Sequence, residues 1–331
     1  MTSPSDAAGP VWAGRSDGDG PEHARWHQAV RVLDADGGAA DADCPHVALL
    51  GFRSDEGVRR NHGRVGAAAG PAALRRALSP LALHGVLGRG EVQLHDLGDS
   101  ATRGEDLEGG QAAAAAAIAA ALDRPGSRLT VVLGGGHETA WAAYTGLLGS
   151  RLGAATAQRW GVLNLDAHFD LREEPRPSSG TPFAQMAAAE RAAGRALRYA
   201  VLGIAEPSNT AALLTRARQL EVRWWSDEQC LRAGAEGIAE FVKAFAADLD
   251  VLYLSIDLDV LPAAVAPGVS APAAYGVPLP LIAAAVRAAA ATGKLALLDV
   301  VELNPALDPD DRTARTAARL VDEAVRGAVE R

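Results

Sequence analysis

From Pro45 onward, short apolar runs of strand length alternate with longer segments rich in Ala, Leu, Arg and Glu. The runs are apolar at consecutive positions rather than at alternate ones, which is typical of strands buried on both faces of a parallel sheet. Eight such strands are predicted, at residues 47–52, 92–97, 129–133, 161–165, 199–204, 222–225, 251–256 and 295–301.

Helix-like segments separate these strands, and the clearest span residues 71–78, 109–122, 139–148, 278–291 and 312–329. Eight strands alternating with helices predict an α/β protein. The pattern fits either an open α/β/α sandwich or a closed eight-fold barrel, and it does not choose between them. No internal repeat or linker divides the core, so one domain is predicted at residues 44–331.

The first 43 residues have a different character. They are rich in Gly, Asp, Ala and Pro and show little apolar periodicity. This composition predicts a flexible N-terminal arm at residues 1–43. Trp12 and Trp26 are the candidates for holding parts of that arm against the domain.

Acidic and histidine side chains follow four of the predicted strands. Because the carboxyl ends of parallel strands meet at one edge of a sheet, we expect these side chains to lie close together. The residues concerned are His137, then Asp166, His168 and Asp170, then Asp257 and Asp259, and finally Glu302.

The spacing within these groups predicts a metal site. Residues two apart in an extended chain point the same way, so Asp166, His168 and Asp170 can converge, as can Asp257 and Asp259. Carboxylates crowded together repel unless positive charge lies among them. Six ligands exceed the need of one tetrahedral ion and suit two ions that share carboxylates. Four carboxylates and two imidazoles favour manganese, and zinc, cobalt and iron are also compatible.

Composition narrows the functional classes further. The chain has 331 residues, 48% of them hydrophobic, and a formal charge of −9, which argues against a nucleic-acid partner. The N-terminus lacks the pattern of a signal peptide, and the longest alanine-rich run is too short to span a bilayer. Cys44 and Cys230 form no C-x-x-C pair, which fits a reducing cytoplasm.

Together these motifs resemble the ureohydrolase superfamily, which includes arginase, agmatinase and formimidoylglutamase. The resemblance covers residue 46 to the end. It implies a three-layer α/β/α sandwich with a mainly parallel eight-stranded sheet, two Mn²⁺ ions per subunit, and a homo-oligomer, either a trimer or a hexamer. The stretches that carry it are Gly-Gly-Gly-His137, Asp166-Ala-His168-Phe-Asp170, Ser255-Ile-Asp257-Leu-Asp259 and Asp299-Val-Val-Glu302.

Within that superfamily, the chain is most similar to the formimidoylglutamases, through residues 54–64, 135–141, 166–172 and 178–183. The resemblance implies hydrolysis of N-formimidoyl-L-glutamate to L-glutamate and formamide in histidine degradation, by attack of a dimetal-bridging hydroxide on the formimidoyl carbon. The alternative is a guanidino hydrolase that releases urea, such as arginase, agmatinase or guanidinobutyrase. An inactive relative and a single-zinc deacetylase are disfavoured by the complete set of six ligands.

The resemblance also implies roles for individual residues. One ion would be held by His137, Asp166, Asp170 and Asp257, and the other by Asp166, His168, Asp257 and Asp259. Asp170 would pass a proton to the departing amine, and Glu302 would face the cationic amidine. The candidate substrate-binding residues are Arg172, Ser179, Thr181, Asn61 and Arg64. The alternative for Ser179 and Thr181 is that they only shape a turn before Pro182, and the alternative for Arg64 is a solvated basic stretch that it forms with Arg59 and Arg60.

The sequence departs from the relatives at four positions. Gly136 and Glu138 replace the Asp and Ser that arginases and agmatinases have beside the first ligand. Arg172 stands where arginases have Asn, and Ser179 stands where agmatinases have a His that helps catalysis. Serine does not titrate near neutral pH, so the identity of the proton-shuttling group stays open.

Overall fold

The computed structural model describes residues 11–33, 44–156 and 159–330. Its centre is a single sheet of nine strands, and every neighbouring pair is parallel. All eight predicted strands are confirmed. The strands are β1 Val30–Val32, β2 His46–Arg53, β3 Gln93–Ala101, β4 Ser127–Leu133, β5 Trp160–Leu165, β6 Tyr199–Ile204, β7 Arg223–Ser226, β8 Val251–Asp257 and β9 Leu295–Val301.

Helices cover both faces of this sheet, which confirms the three-layer sandwich and excludes the barrel. All five of the segments predicted to be helical are helices. Those in the described ranges are α1 Trp26–Ala29, α2 Glu56–Arg60, α3 Gly70–Leu78, α4 Gly85–Gly88, α5 Leu107–Leu122, α6 Thr139–Gly149, α7 Arg151–Thr156, α8 Pro182–Ala192, α9 Ala211–Gln219, α10 Asp227–Ala246, α11 Leu279–Ala291 and α12 Arg312–Val329.

Two separate apolar cores lie on the two faces of the sheet. Helices α3, α10, α11 and α12 pack on one face, and α5, α6 and α8 pack on the other. Successive strand residues point to opposite faces, so Val131 joins the first core and its neighbour Val132 joins the second. This double burial is the physical reason for the consecutive apolar runs in the sequence. None of the helices in the described ranges is long and apolar enough to cross a membrane.

The ninth strand, β1, lies in the segment expected to be a loose arm. Val30 pairs with Leu94 at the start of a parallel ladder between β1 and β3. The Trp26 side chain is fully buried, and its indole Nε1 donates to Asp322 Oδ1 at 3.0 Å. Residues 11–33 therefore differ from a peripheral arm, because they supply both a strand and a core aromatic. Residues 1–10 and 34–43 lie outside the described residues, and the boundary at residue 43 stays a prediction.

The order of the strands places the ends of four of them side by side. The order is β1-β3-β2-β4-β9-β8-β5-β6-β7, so β4, β9, β8 and β5 are consecutive neighbours. After β5 the chain adds β6 and β7 on one side, whereas after β8 it adds β9 on the other side, so the direction of strand addition switches between the neighbours β8 and β5. Such a switch opens a crevice beyond the carboxyl ends of the strands, where α/β proteins place their sites.

Candidate functional site

The six predicted metal ligands converge at this crevice. His137 follows β4, Asp166 directly follows β5, and Asp257 is the last residue of β8. The ligand atoms fall into two groups, each with its atoms within 4.8 Å of one another. The first group is His137, Asp166 and Asp257, and the second is Asp166, His168 and Asp259. Because Asp166 belongs to both groups, the arrangement suits two ions that share a carboxylate.

The first imidazole is oriented to present a free nitrogen to its carboxylate neighbours. His137 Nδ1 lies 3.0 Å from an oxygen of Asp170, 3.0 Å from one of Asp257 and 3.3 Å from one of Asp166. It is nevertheless buried without a hydrogen-bond partner. An unpaired nitrogen amid carboxylate oxygens suits coordination of a metal, so the residues present fit a divalent cation.

A hydrogen-bond chain fixes the tautomer of this imidazole. The hydroxyl of Ser255 donates to Asp299 Oδ1 at 2.6 Å, so its oxygen accepts from His137 Nε2 at 3.0 Å. The proton of the neutral ring therefore sits on Nε2, which leaves the lone pair on Nδ1 for a metal. Ser255 and Asp299 are paired across β8 and β9. Sequence reasoning did not give them this role, although both lie inside quoted motifs.

Hydrogen bonds also hold the carboxylate of Asp166 in place, and the sequence analysis did not predict them. The amide of Asn164 donates to Asp166 Oδ2 at 2.8 Å, and the backbone N–H of His168 donates to Asp166 Oδ1 at 2.6 Å. Asn164 lies two residues before Asp166 and its side chain is fully buried. The two-residue spacing in an extended strand was the available signal. These contacts hold both oxygens of the shared carboxylate in place.

The electrostatics show that the site needs positive charge. Burial opposes protonation of His137, but the carboxylates of Asp166, Asp170 and Asp257 outweigh it and raise its pKa well above the ordinary value. Burial, followed by neighbouring carboxylates, raises the pKa of Asp257 well above its usual range and also raises the pKa of Asp170. Divalent cations would relieve this repulsion by replacing the protons.

Three residues beside the site have backbones in the left-handed region. The φ angles are 60° at His62, 47° at Asp170 and 69° at Glu302. Such conformations cost about 1–3 kcal/mol each for residues with a Cβ and are concentrated at functional sites. At Glu302 the result is a buried carboxylate whose Oε1 accepts from the backbone N–H of His137 at 2.8 Å. Burial, followed by the charge of Glu138, raises the pKa of Glu302 to about 8.

A cavity of about 410 Å³ opens onto this metal-ligand cluster. A cavity of this size suits a small-molecule substrate. Asp166 is fully buried and does not line the cavity, whereas the other five predicted ligands do. Predicted residues that line the cavity are Asn61, Arg64, His137, His168, Asp170, Arg172, Ser179, Asp257, Asp259 and Glu302.

Three of the predicted substrate contacts form one hydrogen-bonded patch of the cavity wall. Asn61 Nδ2 donates to Ser179 Oγ at 3.1 Å, and Arg172 Nη1 donates to Asn61 Oδ1 at 3.3 Å. Arg172 is exposed, so its guanidinium keeps donors that face the cavity. The contact between Asn61 and the other two residues spans more than a hundred residues of the sequence.

The remaining two predicted contacts are used differently. The Arg64 guanidinium donates to the carbonyl oxygens of Val269 at 2.7 Å and Ser270 at 3.0 Å, so it fastens one wall of the cavity. Thr181 does not line the cavity. Its hydroxyl interacts with Ser178 and Gln185, which matches the turn-forming alternative. The cavity also includes Val58, His62, Ser208, Asn209 and Ser270, which the sequence did not suggest.

The glycines before His137 allow close packing of the backbone. A Cβ on Gly135 would lie 1.8 Å from the carbonyl oxygen of Ser54. A Cβ on Gly136 would lie 2.2 Å from Oε2 of Glu138, whose other oxygen accepts from the Ser54 hydroxyl at 2.7 Å. Only glycine fits at these two positions, because a Cβ would collide with the neighbouring atoms. Gly136 leaves the space that the Glu138 side chain occupies.

Comparisons with known proteins agree with this geometry. The sequence profile of the Arginase family matches residues 45–326. A formimidoylglutamase from Nocardia farcinica is 54% identical over 316 residues, which cover 96% of each chain. A crystal structure of formimidoylglutamase from Bacillus subtilis has a TM-score of 0.79 at 24% identity and covers 98% of this chain and 95% of that one. A formiminoglutamase from Trypanosoma cruzi, solved with Mn²⁺, has a TM-score of 0.74 at 26% identity and covers 87% and 95%.

Proposed function

Because the chain belongs to the arginase family, we propose that its cavity hydrolyses N-formimidoyl-L-glutamate to L-glutamate and formamide. The observation that supports this most directly is the combination of two candidate metal-ligand groups, a buried glutamate and an exposed arginine around one cavity. Relatives over nearly the whole chain are formimidoylglutamases. The reaction is the hydrolysis of a carbon–nitrogen bond in a linear amidine.

We propose that the resident metal is a pair of manganese ions. Carboxylate-rich sites with imidazole favour hard divalent ions, and the Trypanosoma cruzi relative was solved with Mn²⁺. The proposed ligands are His137, Asp166, His168, Asp170, Asp257 and Asp259. When bound, the ions would supply Lewis acidity that lowers the pKa of the attacking water.

The protein's own residues orient the substrate and move the proton. Glu302, held by the His137 backbone, would accept hydrogen bonds from the cationic amidine, whose charge favours the ionised carboxylate. A water oxygen bonds to the formimidoyl carbon, and the bond from that carbon to the glutamate nitrogen breaks. Asp170 would deliver a proton to that nitrogen, which leaves as the amine of glutamate.

Arg172 would bind a carboxylate of the glutamate moiety, since its guanidinium lines the same cavity and matches a carboxylate geometrically. Asn61 and Ser179 would complete this contact. The same arginine disfavours the guanidino hydrolase alternative for agmatine, because it would repel the ammonium group of that substrate. We further propose a cytoplasmic homo-oligomer, a trimer or hexamer, that acts in histidine degradation.

The experiment is a product assay on the manganese-loaded protein. N-formimidoyl-L-glutamate, arginine, agmatine and guanidinobutyrate would be supplied separately, and formamide, glutamate and urea would be quantified. We expect formamide and glutamate from the first substrate and little urea from the others. Removing the metal with a chelator should abolish the reaction, and adding manganese back should restore it. Urea release from a guanidino compound with no formamide from the first substrate would contradict the proposal.

A further inference from the structure

The guanidinium of Arg60 is almost completely buried although it does not line the cavity. Its side chain is 5% exposed. Nε donates to Glu56 at 2.9 Å, and Nη1 donates to Glu108 at 2.7 Å and to the carbonyl oxygen of Pro177 at 3.0 Å. Nη2 donates to the carbonyl oxygen of Glu105 at 2.8 Å and to Glu108 at 3.1 Å. These bonds use all five donors of a guanidinium.

The hydrogen-bond partners of Arg60 lie in separate segments of the chain around the cavity. Glu56 lies in α2, and Glu108 lies in the first turn of α5. Pro177 lies in the loop between Leu171 and Thr181, which carries the cavity-lining Arg172 and Ser179. That loop is closed on itself by the hydrogen bond from Arg172 N to the carbonyl oxygen of Gly180 at 3.0 Å. A bond to Pro177 therefore holds the loop as a unit.

Arg60 is also the last residue of α2, and Asn61 follows it directly. Asn61 lines the cavity beside this loop and donates a hydrogen bond to Ser179 Oγ at 3.1 Å. One buried side chain therefore fastens the loop of Arg172 and Ser179 to the helix that delivers Asn61.

We infer that Arg60 is a positioning residue, which sets the spacing between Asn61 and the loop bearing Arg172 and thereby the contact with the carboxylate end of the substrate. This inference rests on the proposed function. Lysine cannot replace it, because an ammonium offers three donors from one point, whereas Arg60 reaches three segments in fixed directions.

Arg59 provides a matched control beside it in the sequence. It pairs with the same glutamate, with Nε donating to Glu56 Oε2 at 2.6 Å, and its side chain is 49% exposed. Its second acidic partner is Glu105, whose side chain is 70% exposed. Arg59 therefore has the charge and the acidic neighbour of Arg60, but its second partner is an exposed glutamate rather than the loop that carries Arg172 and Ser179.

The test compares Arg60→Lys with Arg59→Lys in the full-length, manganese-loaded protein. For Arg60→Lys we expect the KM for N-formimidoyl-L-glutamate to rise about tenfold, with kcat within about threefold and the metal content unchanged. For Arg59→Lys we expect a KM within about twofold of the parent. A lower melting temperature for Arg60→Lys with an unchanged KM would mean a merely structural role and would overturn the inference.

A second readout does not depend on the substrate. Trypsin cleavage after Arg172, identified from fragment masses, reports how firmly the loop is held. We expect several-fold faster cleavage there in Arg60→Lys than in Arg59→Lys. Equal cleavage rates overturn the inference. If the parent protein fails to turn over the substrate while this difference persists, the proposed function fails and the role of Arg60 in holding the loop stands.

Should Arg60→Lys fail to fold, Glu108→Gln weakens the same clamp from its exposed side, because the Glu108 side chain is 52% exposed and accepts two hydrogen bonds from Arg60. We expect a smaller rise in KM and in cleavage after Arg172, in the same direction. No change in either quantity for this variant would also overturn the inference.

Discussion

Replacing Arg172 with alanine is expected to raise the KM for N-formimidoyl-L-glutamate about tenfold while both metals remain bound. In the described structure its guanidinium makes a single side-chain hydrogen bond, of 3.3 Å, to Asn61. Its other donors are therefore available to a carboxylate. A hydrogen bond to a charged group contributes about 1.5–3 kcal/mol. Arg172 is exposed, so solvent screening reduces the contribution of its hydrogen bond to about 1.5 kcal/mol, which is a factor of about ten in affinity.

The effect should appear in KM because the carboxylate contact is the same in the ground state and the transition state. Glu302→Ala should instead lower kcat as well, since Glu302 accepts from the backbone N–H of His137 beside the candidate ligands and is proposed to accept from the amidine that is attacked. The matched control is Arg176→Ala. Arg176 is an exposed arginine of the same loop that does not line the cavity, and its KM should stay within about twofold of the parent.

The assay measures initial rates of formamide and glutamate release, with elemental analysis of each purified variant. An unchanged KM in Arg172→Ala would refute the reasoning, and so would an equal rise in KM for Arg176→Ala. A parent protein that prefers agmatine would also refute it, because agmatine has no carboxylate for Arg172 to bind.

Three further predictions concern the metal centre and stability. Asp257→Ala should lose tightly bound metal and activity together, and two retained ions by elemental analysis would contradict the ligand assignment. Trp26→Ala should lower the free energy of unfolding by about 3–5 kcal/mol, because a fully buried indole is removed. Denaturant-induced unfolding measures this change, and an unchanged free energy of unfolding would mean that residues 11–33 are peripheral to the core. Burial, followed by the charges of His46, Arg124 and Arg31, lowers the pKa of His95 from 6.5 to about 4. The unfolded chain therefore binds an extra proton between these values, so stability is complete above about pH 6.5 and falls as the pH is lowered, by about 2 kcal/mol between pH 7 and pH 5. His95→Phe should reduce this pH dependence relative to the parent, and equal slopes would show that other groups cause it.

Much of the fold follows from local patterns in the sequence. Strands buried on two faces contain runs of consecutive apolar residues, as at residues 131–133 of β4 and 251–254 of β8, so their places along the chain could be read directly. The three-residue strand β1 could not, because its residues are half-buried or exposed and it is too short for any period to emerge. Its pairing depends on β3, more than sixty residues further along the chain.

The candidate metal ligands could be identified in the sequence because they follow a local rule. Asp166, His168 and Asp170 alternate in the sequence, and in an extended chain such alternation would aim the side chains in one direction. In the structure the chain bends at residues 167–168 and Asp170 has a φ of 47°, so the rule found the residues although the segment is not a strand. That His137 and Asp257 meet them depends on the strand order β4-β9-β8-β5, which long-range packing of the two helical layers decides. The sequence indicated the candidate ligands, and the family resemblance implied their grouping. In the structure Asp166 belongs to both groups, whereas Asp257 belongs to the first group only.

The residues in and around the cavity wall show which features the sequence does not determine. Arg59 and Arg60 are adjacent and chemically identical, yet one side chain is 49% exposed and the other 5% exposed. Thr181 lies in a predicted contact motif but turns its hydroxyl to Ser178 and Gln185. Charge and spacing determine which residues can bind a ligand. Burial and the direction of a side chain depend on contacts between segments far apart in the chain, and these exist only after the tertiary structure has formed.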